Sequence, residues 1–218
     1  MFIGHFAAGL AAKRVAPRAS LGSYVAASAL LDVVWPVLVL AGVERFHIRP
    51  GTTAFSPFAF DSYPWSHSLA MAIVWGAVFG GGHYLARRDA ATARMLGAVV
   101  VSHWVLDWVT HRPDMPLAPG VTYKAGLSLW NSVAGTLAVE TAMFLGAAWW
   151  YGRATRPVDG QGRWVWAAFV TTGLGLFATS LGPPPKAGQE KLVAGVGLVV
   201  VALFVLLAAW TDRHRAFR

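Results

Sequence analysis

The segment Ser102-His103-Trp104-Val105-Leu106-Asp107-Trp108-Val109-Thr110-His111 carries the densest chemistry in the chain. His103, Asp107 and His111 recur at four-residue spacing, so a helix presents them along one face. Imidazole nitrogen and carboxylate oxygen are ligands for zinc and related divalent ions. The same spacing also suits a hydrogen-bonded His–Asp pair that holds helices together. Further residues of the same kinds elsewhere, namely His5, Asp32 and His67, turn the reading towards a metal. Cysteine is absent, which excludes disulfides, zinc-thiolate sites and iron–sulfur clusters. Any metal must therefore be held by His, Asp and Glu.

These residues need elements to position them, and composition says of what kind. Of 218 residues, 56% are hydrophobic and 13% charged, with a mean hydropathy of +0.51. A soluble domain usually carries about 25% charged residues. The expectation is an all-α polytopic membrane protein, a single domain over residues 1–218. A spanning helix needs roughly 20 mostly apolar residues. Six stretches qualify: Leu21 to Gly42, Ser66 to Ala86, Met95 to Thr110, Leu127 to Tyr151, Trp164 to Leu181 and Leu192 to Trp210. About six transmembrane helices are expected, with a short apolar helix before them. Residues 1–151 would form the metal-site core, and 152–218 would add two helices. Lys13 and Arg14 follow the N-terminal apolar stretch, the reverse of a signal peptide. Lys and Arg divide 12 to 6 between alternate loops, which places both termini in the cytoplasm. The net charge of +8 is spread over short loops, which fits an anionic membrane surface better than nucleic acid.

Asp32, Asp107 and Glu140 all fall within these spans, where a charge costs roughly 2.5–3.5 kcal/mol. No Lys or Arg shares the spans, so protonation, polar contacts or a bound cation must compensate. His5 lies in Phe2 to Ala12, a stretch too short to cross. It either dips towards the bilayer middle or belongs to an interfacial helix. Asp32 is midway along the first span. His67, in Pro64-Trp65-Ser66-His67-Ser68, opens the second at the outer face, where Ser66 or Ser68 would cap the helix. Glu140 lies roughly 20 Å into the fourth span counted from Leu127, against roughly 10 Å for His103 in the third. Convergence is expected all the same, because Glu140 has no other partner at its level. After His111, Arg112 is a candidate phosphate contact and Asp114 a carboxylate to orient His111; a plain turn is the alternative. Trp130 and Asn131 are on the same side, Asn131 as a candidate substrate contact. His47, His83 and His214 have no assigned role, and most tryptophans fit an aromatic belt.

The early His5, mid-helix Asp32, Ser66-His67-Ser68 and Ser102-His103-x-x-x-Asp107 together resemble a family of bacterial inner-membrane proteins. These are named metal-dependent hydrolases, some of them LexA-binding, inner-membrane-associated hydrolases. The likeness covers roughly Met1 to Glu140. In order of ligands the family is similar to bacterial zinc-dependent phospholipase C: His, Asp, His, then HxxxD, then His, then HxxxE. The resemblance implies metal-ligand roles for His5, Asp32, His67, His103 and Asp107, with His111 as a sixth. Thr136 and Glu140 stand where HxxxE would be, so only the Glu role carries over. The resemblance then implies one or two divalent ions, zinc first among them, with Asp32, Asp107 and Glu140 as candidates to bridge them or act as base. The phospholipase also uses its N-terminal residue as a ligand, a role not expected of Met1. The implied function is metal-dependent hydrolysis of a phosphoester or phosphodiester lipid near the outer leaflet of the bacterial inner membrane. Membrane lipids are the implied partners, and nucleic acid is not. Two rivals stay open: a proton- or cation-coupled transporter lined by the three carboxylates, and a non-catalytic scaffold with a polar core.

Overall fold

A computed structural model describes residues 1–218. The chain is mostly helical, in nine α-helices. They are α1 (Ile3–Val15), α2 (Leu21–Ser28), α3 (Leu30–Leu40), α4 (Pro64–His67), α5 (Leu69–Arg87), α6 (Ala90–Thr110), α7 (Val133–Ala154), α8 (Gln161–Thr179) and α9 (Glu190–His214). The all-α expectation is met, but the count of about six spans is not. Three helices, α5, α7 and α9, are long and apolar enough to cross a membrane, or four with the bent pair α2–α3 counted as one span. The expected spans at α6 and α8 fall short because polar residues dilute them: Arg94, His103 and Asp107 in one, Gln161, Arg163 and several threonines and glycines in the other. The apolar outer faces of α5 and α9, including Ile73 and Val78 on the first and Val199 and Leu206 on the second, are exposed as lipid contact would require.

Three small antiparallel pairs complete the chain. In the first, β1 (Arg45–Ile48) pairs with β2 (Phe58–Ser62), placing Phe46 opposite Phe60 and Ile48 opposite Phe58. This hairpin lies over Trp35 and Val39 of α3.

Side-chain oxygens start four of the helices. Ser20, Ser68, Asp89 and Ser132 accept the backbone N–H of Ser23, Met71, Thr92 and Gly135, so these chain entries are fixed by caps. Between α5 and α6, Gly76 and Gly80 face Gly97 and Ala93, and the missing side chains let the two backbones approach closely. The first long apolar run is not one helix. It breaks at Ala29 and turns by 52° between α2 and α3. Pro36, four residues beyond Asp32, has no N–H to return to the Asp32 carbonyl. Two large apolar cores form beside the small one under the hairpin. One joins α1, α2, α7, α8 and α9 around Phe6, Phe144, Phe169 and Phe204. The other joins α2, α3, α5 and α6 around Tyr24, Leu31, Leu96 and Trp104. Helix α1 is packed inside the helix assembly: most of its residues are buried, against α7, α2 and α6.

Candidate metal centre

Five of the expected ligands meet. His103 and Asp107 lie on one face of α6, His5 comes from α1, Asp32 from α3 and His67 from the end of α4. Two triads result, each with ligand atoms within 4.8 Å of one another: His5, His103 and Asp107, and Asp32, His67 and His103. Either could hold a metal ion, and His103 is common to both.

The hydrogen-bond partners decide which nitrogen each histidine offers. His103 Nδ1 lies 2.7 Å from the Ser28 carbonyl oxygen, so Nδ1 carries the proton and donates it. That carbonyl is available because α2 ends there, at the break before Ala29. His103 Nε2 then turns a lone pair towards Asp107 Oδ2 at 3.2 Å and Asp32 Oδ1 at 3.7 Å, with no hydrogen-bond partner of its own. His67 Nε2 lies 3.6 Å from Asp32 Oδ1 and 3.6 Å from Asp107 Oδ2. Its Nδ1 is 2.8 Å from Ser66 Oγ. These gaps bracket the roughly 3.4 Å edge of a tetrahedral shell built on bonds of about 2.0–2.1 Å. Acceptors facing acceptors in a buried place are unfavourable unless a cation or an added proton lies between them.

His5 completes the first triad. Its ring stacks on that of His103, with centroids 3.6 Å apart and planes at 4°. Its Nε2 is 3.1 Å from Asp107 Oδ1. Asp107 is also met by the Met1 nitrogen, which lies 3.2 Å from Thr110 Oγ1 as well. Met1, for which no part was expected, is thus inside the centre.

Glu140 and His111 come to its edge without joining either triad. Glu140 Oε2 accepts the backbone N–H of Phe2 at 2.7 Å and of Gly4 at 3.3 Å, and so caps α1. The mismatch in depth disappears because α7 begins at Val133, not Leu127, and Glu140 then lies roughly 10 Å from the helix end, as His103 does in α6. His111 follows the last residue of α6, and its Nδ1 lies 3.0 Å from Asp114 Oδ1. Asp114 also accepts from Arg112 Nε at 3.0 Å and from the Tyr63 hydroxyl at 3.1 Å. Burial pushes the Asp114 carboxyl up, but these hydrogen bonds and charges outweigh it and hold it below the usual range.

The centre opens on a cavity of about 730 Å³. Asp32, His67, Asp107, His111, Glu140 and Trp130 line its polar part. The rest is largely apolar, from α3, α8, α9 and the segments 50–58 and 181–185, with Thr53, Ser56, Thr179 and Ser180 among it. Asp32 has 35% of its side chain exposed, and the exposure is to this cavity. Arg112, Asp114 and Asn131 do not line it; Asn131 is exposed elsewhere. Compared with known proteins, the chain matches no family model, no curated protein and no solved structure.

Proposed function

We propose that this chain is a membrane-embedded, metal-dependent hydrolase acting on a phosphoester or phosphodiester lipid near the outer leaflet of a bacterial inner membrane. One observation carries the reading. The Nε2 atoms of His67 and His103 and the oxygens of Asp32 and Asp107 converge at 3.2 to 3.7 Å beside a large cavity. The order of ligands, with its likeness to zinc-dependent phospholipase C, supports the same conclusion and favours zinc. Held there, a divalent ion supplies Lewis acidity, which acidifies water and polarises a phosphoryl oxygen. Asp32, open to the cavity, is the carboxylate placed to take a proton from attacking water. Asp107, buried between three histidines and the Met1 nitrogen, holds the ligands in place. A polar floor beneath apolar walls suits an amphiphile whose phosphoester reaches the floor. The 12-to-6 division of Lys and Arg between alternate stretches of the chain supports an orientation with both termini on the cytoplasmic side.

The test is hydrolysis in phospholipid vesicles by the purified, zinc-loaded protein, read as phosphorylated head group released. Release that EDTA abolishes and zinc restores is the expected result. Absence of bound metal by plasma mass spectrometry would overturn it, as would proton or metal flux without turnover, which is the transporter's signature.

A further inference from the structure

Glu44 is buried, 1% exposed, at the start of the β1–β2 hairpin, and no Lys, Arg or His pairs with it. Its carboxylate is aimed at α4. Oε1 accepts the backbone N–H of Trp65 at 2.8 Å and of Ser66 at 2.9 Å. Oε2 accepts the Ser66 hydroxyl at 2.5 Å. A serine hydroxyl has one hydrogen. With that hydrogen given to Glu44, Ser66 Oγ has only lone pairs to offer His67 Nδ1, 2.8 Å away. His67 Nδ1 must therefore carry the proton, and Nε2 is left bare towards Asp32 and Asp107. Without Glu44 the Ser66 hydroxyl is free to turn and donate to Nδ1, which would place the imidazole proton on Nε2, the position the metal needs.

We propose that Glu44 is a positioning residue for the metal centre, acting through Ser66 to fix the tautomer and ring orientation of His67. The role rests on the metal reading for its consequence, but not for its existence. His103 has a backbone carbonyl in the corresponding place, that of Ser28, so the two histidines are set by unlike devices with one outcome. Partners of this kind behind a ligand are typically worth 10–100-fold in metal affinity.

Ser66→Ala breaks the chain while leaving the two backbone contacts of Glu44 to α4, so the short helix keeps its cap. Ser66→Thr keeps a hydroxyl, and Glu44→Gln keeps the shape without the carboxylate. Two readouts apply to the full chain in detergent: zinc titration after EDTA stripping, and nitrogen-15 NMR of the His67 ring in the metal-free protein. Wild type and Ser66→Thr should show His67 protonated on Nδ1 alone, with zinc affinities within about threefold. Ser66→Ala and Glu44→Gln should mix the tautomers and weaken zinc by 10–100-fold. Wild-type tautomer in Ser66→Ala would overturn the proposal whatever the metal does. A fixed tautomer that Ser66→Ala releases, in a protein that binds no zinc, would uphold the relay and sink the metal reading instead.

Discussion

His103 is the residue shared by both triads, and its removal is the sharpest perturbation available. Zinc present at about 100 times its Kd stabilises the state that binds it by about 2.7 kcal/mol. In a chain of this size that corresponds to a rise in Tm of roughly 5–10 °C. His103→Ala leaves each triad one ligand short, so the zinc-dependent rise should vanish. A second effect belongs to the metal-free protein. The Ser28 carbonyl loses its partner at 2.7 Å, which costs about 1–3 kcal/mol when no replacement reaches it. The stack on His5 goes too, so the EDTA-treated variant should melt roughly 3–10 °C below wild type. Intrinsic tryptophan fluorescence during a thermal ramp, with and without zinc, reads both effects, and the chain has 11 tryptophans to report them. His47→Ala, on the exposed hairpin, is the control and should keep the full response. A His103→Ala protein that gains as many degrees from zinc as wild type would refute the reasoning and place the ion elsewhere.

Gly76→Leu should force α5 off α6, since even a Cβ would sit 2.8 Å from the Gly97 carbonyl oxygen. A loss of about 1–3 kcal/mol, seen as a lower Tm with unchanged zinc stoichiometry, is expected. The depressed Asp114 carboxyl contributes stability that is fully present above its unfolded value of about 3.9 and is lost as pH falls through the lower folded value. Asp114→Asn should lower Tm at neutral pH and flatten its fall below about pH 4; an unchanged acid limb would show that the carboxyl is not held down. Alkaline phosphatase fused to the C-terminus should be inactive, and periplasmic activity would reverse the orientation assigned from the basic residues.

That His103, Asp107 and His67 are candidates for one site is legible in the sequence because their signals are local, whereas His111 and Glu140, read the same way, stay outside both triads. HxxxD on a helix is a one-face pattern, and Pro64-Trp65-Ser66-His67-Ser68 marks a helix start, though two helices share it: the short α4 ends at His67, and Ser68 caps the long α5. What lies behind the ligands is not legible. Hydropathy runs unbroken through Ala29, so the break that frees the Ser28 carbonyl leaves no mark in it. Glu44 reads as a loop residue because its partners are set by how the hairpin folds back onto α4. The apolar count also misleads: the valines of α6 suggest a span, yet Arg94, His103 and Asp107 bring it below the hydropathy of a crossing helix. The alternation of Arg45-Phe46-His47-Ile48 against Phe58-Ala59-Phe60-Asp61 is a strand signal that could have revealed the hairpin.

The cap that Glu140 places on α1 has a consequence for biosynthesis. The carboxylate and the Gly4 N–H it accepts are 136 residues apart in the chain. At roughly 5–20 residues per second, a ribosome needs on the order of 10 s or more to cover that interval. Throughout it, α1 with His5 exists without the α7 surface that buries it. The packing of α1 is therefore completed late, against a helix made after every residue of the two triads, and until then His5 lacks part of the surface that buries it.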